Sequence, residues 1–369
     1  MGLPETKNKI DSIDAYVGGE SKLVNKPNAI KLSSNEGAFG PSPMAMDAYK
    51  AHAKAIYRYP DGSAKELRAT LASKYELDPN RIVCGSGSDE IISLLCQSYA
   101  GYGDEVLHCE HGFLMYAISA RIAGATPIAA PETNLTADVT SIMSKVTNKT
   151  RIVFIANPNN PTGTYLSRMS IESLWRQLPE NIILVLDAAY AEYVTEEDYF
   201  AGCELVDKSN NVVVTRTFSK IHALGGLRLG WAYCPQIIAD ALNISRGPFN
   251  VNSAALAAGK AALNDSAFTE MVRDETIKCR QWTSNQLKLL ANKGVSVTKS
   301  VGNFLLLELG SDTQFNAAAC DRFMRENGII IRCLDNYKLP QHIRVSIGRM
   351  SEMQAFVKAM KLFLENVKS

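Results

Sequence analysis

The sequence has no CxxC pair, no cysteine–histidine spacing that suits zinc, and no apolar run approaching membrane-spanning length. Its eight scattered cysteines therefore exclude a disulfide scaffold or a zinc module and read as reduced, mostly buried thiols. The opening stretch MGLPETKNKIDSIDAY is polar where a signal peptide needs an apolar segment, so a soluble, cytoplasmic protein is expected. A formal net charge of +1 and the lack of any Lys/Arg-rich block exclude an electrostatic footprint for nucleic acid or an anionic membrane. Internal repeats and low-complexity segments are also missing. What remains is an ordinary globular composition, 46% hydrophobic and 21% charged, over 369 residues. That length predicts two domains and small-molecule partners.

Along the chain, residues 1–32 read as a polar arm that packs on something else, 33–262 as a large domain and 263–369 as a smaller one. In the large unit, helical stretches alternate with apolar runs such as RIVCG, EVLHC, RIVFIA, NIILVLD and NVVVTRTF. Short buried strands separated by helices predict a mostly parallel sheet covered on both faces, with reactive groups at the strand carboxyl ends. A helix with a Ser63/Glu66 capping box is expected after Pro60-Asp61-Gly62, and one long amphipathic helix over 266–293. The last hundred residues predict a small antiparallel sheet backed by helices.

Four stretches carry candidate chemistry, each at a predicted strand end. In TRTFSKIHALGGLRLGW, the amine of Lys220 stands among Thr217, Ser219 and Arg228. An amine can condense with an aldehyde while hydroxyls and a guanidinium bind a phosphate, which suits an aldehyde-bearing phosphorylated cofactor. In NIILVLDAAY, Asp187 ends an apolar run, where a carboxylate needs a cationic partner to stay ionised cheaply, and Tyr190 follows three residues on. ANPNNPTG holds Asn160 between two prolines, and GSGSDE offers backbone N–H groups to an anion, with Ser86, Ser88 and Asp89 adding contacts. That turn matches neither GxGxxG nor Walker A spacing, which disfavours a dinucleotide or nucleoside triphosphate. Each stretch alone also has an ordinary explanation: a solvated lysine, a helix-capping Asp, an Asn-Pro turn, a Gly-Ser turn.

Taken in order, NPTG, Asp-x-x-Tyr, Ser-Lys and an Arg eight residues later resemble the fold-type I pyridoxal-phosphate aminotransferases across nearly the whole chain. Among them the sequence is most similar to the histidinol-phosphate aminotransferases. The resemblance implies pyridoxal 5'-phosphate bonded to Lys220, which also shuttles the proton. It implies a pyridine ring held by Asp187, Tyr190 and Asn160, and a phosphate held by Thr217, Ser219, Arg228 and the turn Gly87-Ser88-Asp89. Phe113 falls where the family stacks an aromatic ring on the cofactor, and Tyr59 where a neighbouring subunit's cofactor phosphate is met. Tyr16, Asn35, Arg332 and Arg344 match substrate-side positions, Arg344 as the carboxylate grip. The implied protein is a homodimer that uses no metal. It exchanges an amino group between histidinol phosphate and 2-oxoglutarate.

One site must then accept a phosphate in one half-reaction and carboxylates in the other, a demand that two separated arginines meet. An aromatic amino acid aminotransferase is the alternative within the class, and a phosphothreonine-type decarboxylase is more distant. The aminotransferase-like half of a transcription regulator would need a basic DNA-binding module, for which the near-neutral arm leaves no room. His111 and His222 lie near the site stretches, but Lys220 leaves an imidazole base without a task.

Overall fold

A computed structural model of the chain describes residues 6, 7, 10, 13–24 and 26–366. Its strands in chain order are β1 (Ile30–Lys31), β2 (Ile82–Gly85), β3 (Glu105–Cys109), β4 (Thr126–Ala130), β5 (Glu132–Thr133), β6 (Thr136–Ala137), β7 (Thr150–Ala156) and β8 (Ile183–Asp187). They continue as β9 (Val212–Thr217), β10 (Gly230–Tyr233), β11 (Ser296–Val297), β12 (Phe304–Glu308), β13 (Ile329–Ile330), β14 (Arg332–Leu334) and β15 (Leu339–Ser346).

Seven of these form one sheet in the order β2-β10-β9-β8-β7-β3-β4, in which β10 runs antiparallel to both neighbours and the other pairs bonded directly are parallel. Side chains of a strand alternate between faces, so β7 sends Val153 and Ile155 into one buried layer and Ile152 and Phe154 into the other. Both faces are therefore apolar, the condition under which parallel strands form. The mostly parallel α/β architecture expected from the alternation is present.

Topology brings the site stretches to one edge. The carboxyl ends of β2, β3, β7, β8 and β9 open into the turns bearing Ser88, Phe113, Asn160, Asp187 and Lys220. Because β10 is antiparallel, its first residue, Gly230, pairs with both Thr217 and Gly85, and Arg228 just before it reaches that same edge. A Cβ on Gly230 would lie 2.3 Å from the backbone nitrogen of Ser88, so only glycine lets the strand start that close to the helix Ser88–Tyr99.

The C-terminal strands form an antiparallel sheet, β11-β12-β15-β14, whose core includes Leu305, Leu307, Ile343, Val345 and Phe356. Leu32 belongs to that core, and β1 pairs in parallel with β13, so residues 30–32 attach to the C-terminal layer. The helix Ser266–Lys288 is followed by a short 3₁₀ turn at Ala291–Lys293, where one continuous helix was expected. The expected Ser63/Glu66 capping box is absent. The helix starts at Lys65 with Ala64 at its N-cap position, and Asp61 accepts from the N–H groups of Ser63 and Lys65 at 2.9 and 2.8 Å and from the Ser63 hydroxyl at 2.7 Å. Ser63 therefore lies before the N-cap position, and its hydroxyl donates to Asp61 instead of capping the helix.

Candidate active site

A cavity of about 370 Å³ opens at the carboxyl edge of the large sheet, between it and the C-terminal strands. Asp187 forms its floor. The register β7-β8-β9 sets Asp187 beside Ala156 and Thr215. The Thr215 hydroxyl donates to one carboxylate oxygen at 3.1 Å and the Tyr116 hydroxyl to the other at 2.7 Å. Asp187 is 5% exposed, and burial raises its pKa despite those two bonds. The two side-chain donors are neutral, the Ala189 N–H adds a third bond, and among the described residues no Lys, Arg or His forms an ion pair with the carboxyl. A buried carboxyl in that setting lacks the positive partner that would hold it ionised, and a protonated pyridine nitrogen supplies one. Tyr116 was not foreseen. Its hydroxyl pKa is pushed well up by burial and by Asp187, so it remains a donor.

The lysine loop follows β9. Lys220 Nζ lies 5.7 Å from the centre of the Tyr190 ring, and both line the cavity. Tyr190 itself is buried, packs edge-on against Phe304 and receives a bond from Asn35 Nδ2 at 3.1 Å. An anion cradle lies beside the lysine. Arg228 reaches Asp89 at 3.0 Å and the Ser219 hydroxyl at 3.4 Å, next to the N-terminus of the helix Ser88–Tyr99. Gly87 caps that helix at φ +83°, and a Cβ there would meet the Arg228 guanidinium at 2.4 Å. Ser88, Asp89, Thr217 and Ser219 all line the cavity here. Hydroxyls, a guanidinium and a helix N-terminus form a phosphate-binding set, so the residues present fit pyridoxal phosphate at both its ring nitrogen and its phosphate. Ser86, expected to add a contact, instead donates its N–H to Glu90 at 2.6 Å and lies off the cavity.

Facing the cradle, Arg344 is 6% exposed and donates to the side-chain oxygen of Asn160 and to the carbonyl of Ser33, the latter at 2.8 Å. Its Nε is buried without a partner. Ser346 binds both the N–H and the side-chain oxygen of Asn35, at 2.7 and 2.9 Å. Arg332 donates to the carbonyls of Val17 and Gly18, both at 2.6 Å, so residues 16–20 lie over this chain's own cavity. Tyr16 meets Phe113 edge-on at 6.1 Å, and burial raises its hydroxyl pKa against the opposing pull of Arg344 and Arg332.

Every residue singled out as substrate-side therefore lines the cavity, as do Phe113, Asn160 and Tyr190. Tyr59 does not. It is 83% exposed, stacked on Phe249 at 4.7 Å, and away from this chain's cavity. His222 is buried against Phe218 with its pKa lowered to about 4, so it stays neutral and serves packing. Thr215 was also missed, because its bond to Asp187 depends on a strand neighbour that only the sheet order reveals, and Ser33 and Tyr337 were missed as residues that line the cavity.

A family model for aminotransferase class I and II matches residues 27–360. A histidinol-phosphate aminotransferase of Paramagnetospirillum magneticum is 50% identical, the alignment covering 99% of each chain. One of Rhodospirillum rubrum is 51% identical over 98% of this chain and 97% of its own. Among solved structures, the histidinol-phosphate aminotransferase of Sinorhizobium meliloti in complex with pyridoxal-5'-phosphate superposes with a TM-score of 0.86 at 27% identity, covering 92% of both chains. The chain thus belongs to the aminotransferase class I and II family and, within it, to the histidinol-phosphate aminotransferases.

Proposed function

We propose that this protein exchanges an amino group between L-histidinol phosphate and 2-oxoglutarate, giving imidazole acetol phosphate and glutamate in histidine biosynthesis. The observation that carries the reading is the buried carboxyl of Asp187, held by two neutral hydroxyls, in one cavity with the amine of Lys220 and the Arg228 cradle. Half the sequence is shared, end to end, with proteins named for this substrate.

Pyridoxal phosphate supplies an aldehyde that condenses with amines and a ring that withdraws the electron pair left when a substrate C–H bond breaks. Asp187 would hold the ring nitrogen protonated, with Tyr116 and Thr215 fixing the direction of its carboxyl. Tyr190 and Asn160 orient the ring hydroxyl, and Phe113 walls the ring. Thr217, Ser219, Arg228 and the Gly87-Ser88-Asp89 turn bind the phosphate. Lys220 Nζ would anchor the cofactor and, once released from it, would be the amine that holds the proton taken from the substrate α-carbon. Arg344 grips a carboxylate of glutamate, and Arg332 with Tyr16 and Asn35 binds the phosphate-bearing substrate.

The working unit is a homodimer in the cytoplasm, with residues 33–262 and 263–369 as its two domains and Tyr59 reaching the partner's cofactor phosphate. Exposure of Tyr59, Tyr57 and Ile56 together supports that assignment. Among the described residues no helix is long and apolar enough to cross a membrane.

The test is a half-reaction panel on the purified protein, following the visible band of bound cofactor with histidinol phosphate, phenylalanine, tyrosine and glutamate. Histidinol phosphate is expected to give the highest kcat/KM among the amino donors other than glutamate. A wide margin for phenylalanine or tyrosine would move the assignment to aromatic amino acids.

A further inference from the structure

One buried carboxyl, bonded to the loop that carries Phe113, has no part in the chemistry above. Glu132, on β5, has a side chain only 2% exposed. One of its oxygens accepts the backbone N–H of His111 at 3.1 Å, and the other meets His111 Nδ1 at 2.9 Å. The imidazole is 13% exposed, so both members of the pair are withdrawn from water. On its other side, the His111 carbonyl accepts from Asn159 Nδ2 at 3.4 Å, and Asn159 directly precedes Asn160. His111 is thus held through its N–H, its ring and its carbonyl.

Two residues further on is Phe113. The intervening Gly112 is turned tightly back, its N–H donating to the Cys109 carbonyl at 2.9 Å. The Phe113 ring then stands edge-on to Tyr116, 5.8 Å away, and Tyr116 holds Asp187. The Phe113 wall comes from the end of β3 and the Asn160 wall from the end of β7, and His111, within the first loop, is bonded to Asn159 in the second. Burying a carboxylate is costly unless its hydrogen bonds are met, and here both of its oxygens are spent on one loop residue.

We propose that Glu132 and His111 are positioning residues for the transamination site. The bidentate clamp of the carboxylate on His111 sets the 110–114 loop, and through it the angle at which Phe113 faces the cofactor ring and the separation between the Phe113 and Asn160 walls. This rests on the proposed use of pyridoxal phosphate. Neither residue touches the reacting atoms.

The test compares Glu132→Ala, His111→Ala and His111→Asn with the wild type. The Asn amide can place an N–H where Nδ1 stands, without the ring. Four quantities are read: pyridoxal phosphate affinity of the cofactor-free protein by fluorescence titration, the visible circular dichroism of bound cofactor, the single-turnover rate and half-saturation with glutamate, and Tm. Both alanine variants are expected to weaken the visible dichroism and slow the single turnover about tenfold or more, with half-saturation changed by no more than about twofold. His111→Asn is expected to recover most of both signals. Wild-type dichroism and rate in the alanine variants would overturn the proposal, even if Tm fell. So would a His111→Asn variant as impaired as His111→Ala. If Glu132→Ala does not fold, the two His111 variants decide. A wild-type protein that neither binds pyridoxal phosphate nor turns over would instead sink the functional reading, before any variant is compared.

Discussion

The cofactor end and the substrate end of the cavity are built in opposite ways. At the cofactor end the groups come from neighbouring strand tips of a single sheet, and the central one, Asp187, has an unmet need for positive charge. At the substrate end Arg332 and Arg344 come from the C-terminal sheet and are already bonded to distant parts of the chain, the carbonyls of Val17, Gly18 and Ser33 and the side chain of Asn160. One end waits for a cation. On the proposed function, the other exchanges protein partners for substrate anions. A rigid socket suits a resident cofactor, whereas exchangeable contacts suit two alternating substrates that share one site.

That contrast can be broken by substitution, and the largest effect belongs to the cofactor end. Lys220→Ala is expected to abolish transamination and the visible band of lysine-bound cofactor while leaving Tm nearly unchanged. Retained turnover would refute its role. Asp187→Ala comes next, with cofactor affinity falling by about 3 kcal/mol or more, as for a broken buried ion pair. Equilibrium dialysis against pyridoxal phosphate measures it.

Asp187 also gives the cofactor-free protein a pH signature. Its folded pKa is raised, so the folded state binds more protons than the unfolded one between the ordinary aspartate value and the raised one. The contribution of this carboxyl to stability therefore falls as pH rises through that window, and the deficit is fully present above it. Asp187→Asn is expected to lack this slope, so the Tm difference between wild type and variant should widen in the variant's favour as pH increases. Parallel Tm curves in the cofactor-free proteins would contradict the burial argument.

Effects at the substrate end should divide by substrate. Arg344→Lys loses the planar two-point grip and is expected to raise the KM for glutamate about tenfold or more, with a smaller change in cofactor affinity. Arg332→Ala frees residues 16–20 as well as removing a cation, and should weaken histidinol phosphate more than glutamate in the same assay. Equal losses for both substrates would erase the proposed division between the two arginines. The smallest intrinsic effect is expected for Tyr59→Phe, which leaves the Phe249 stack intact and removes only a hydroxyl remote from this chain's own cavity. A modest loss of cofactor retention in the assembled protein, and none in a dissociated subunit, would place that hydroxyl across the subunit boundary.

Much of the cofactor end was legible because strand periodicity and turn residues are local signals. An apolar run that stops at Asp187, or a β-branched run that runs into Lys220, reports a strand end whatever lies next to it. Tyr116 and Thr215 were not legible in that way. Thr215 is an ordinary strand residue until β8 and β9 are paired, and Tyr116 an ordinary helix residue until the helix Met115–Ala123 packs over Phe154. The Glu132–His111 clamp was hidden for the same reason, since 21 residues separate the partners. The bonds that Asp61 makes to Ser63 and Lys65 show that even a local motif can be pre-empted by a neighbour.

The sequence by itself determined which elements form and which side chains stand at their ends, because hydrophobic period, glycine, proline and capping residues act over a few positions. Tertiary structure decided which of those ends meet. It inserted the antiparallel β10 so that Arg228 joins the phosphate cradle, and it laid residues 16–20 across the cavity under Arg332. It also buried Asp187 among neutral hydroxyls without a cation. Strand order, burial and desolvation are properties of packed neighbours, and no short stretch of chain contains them.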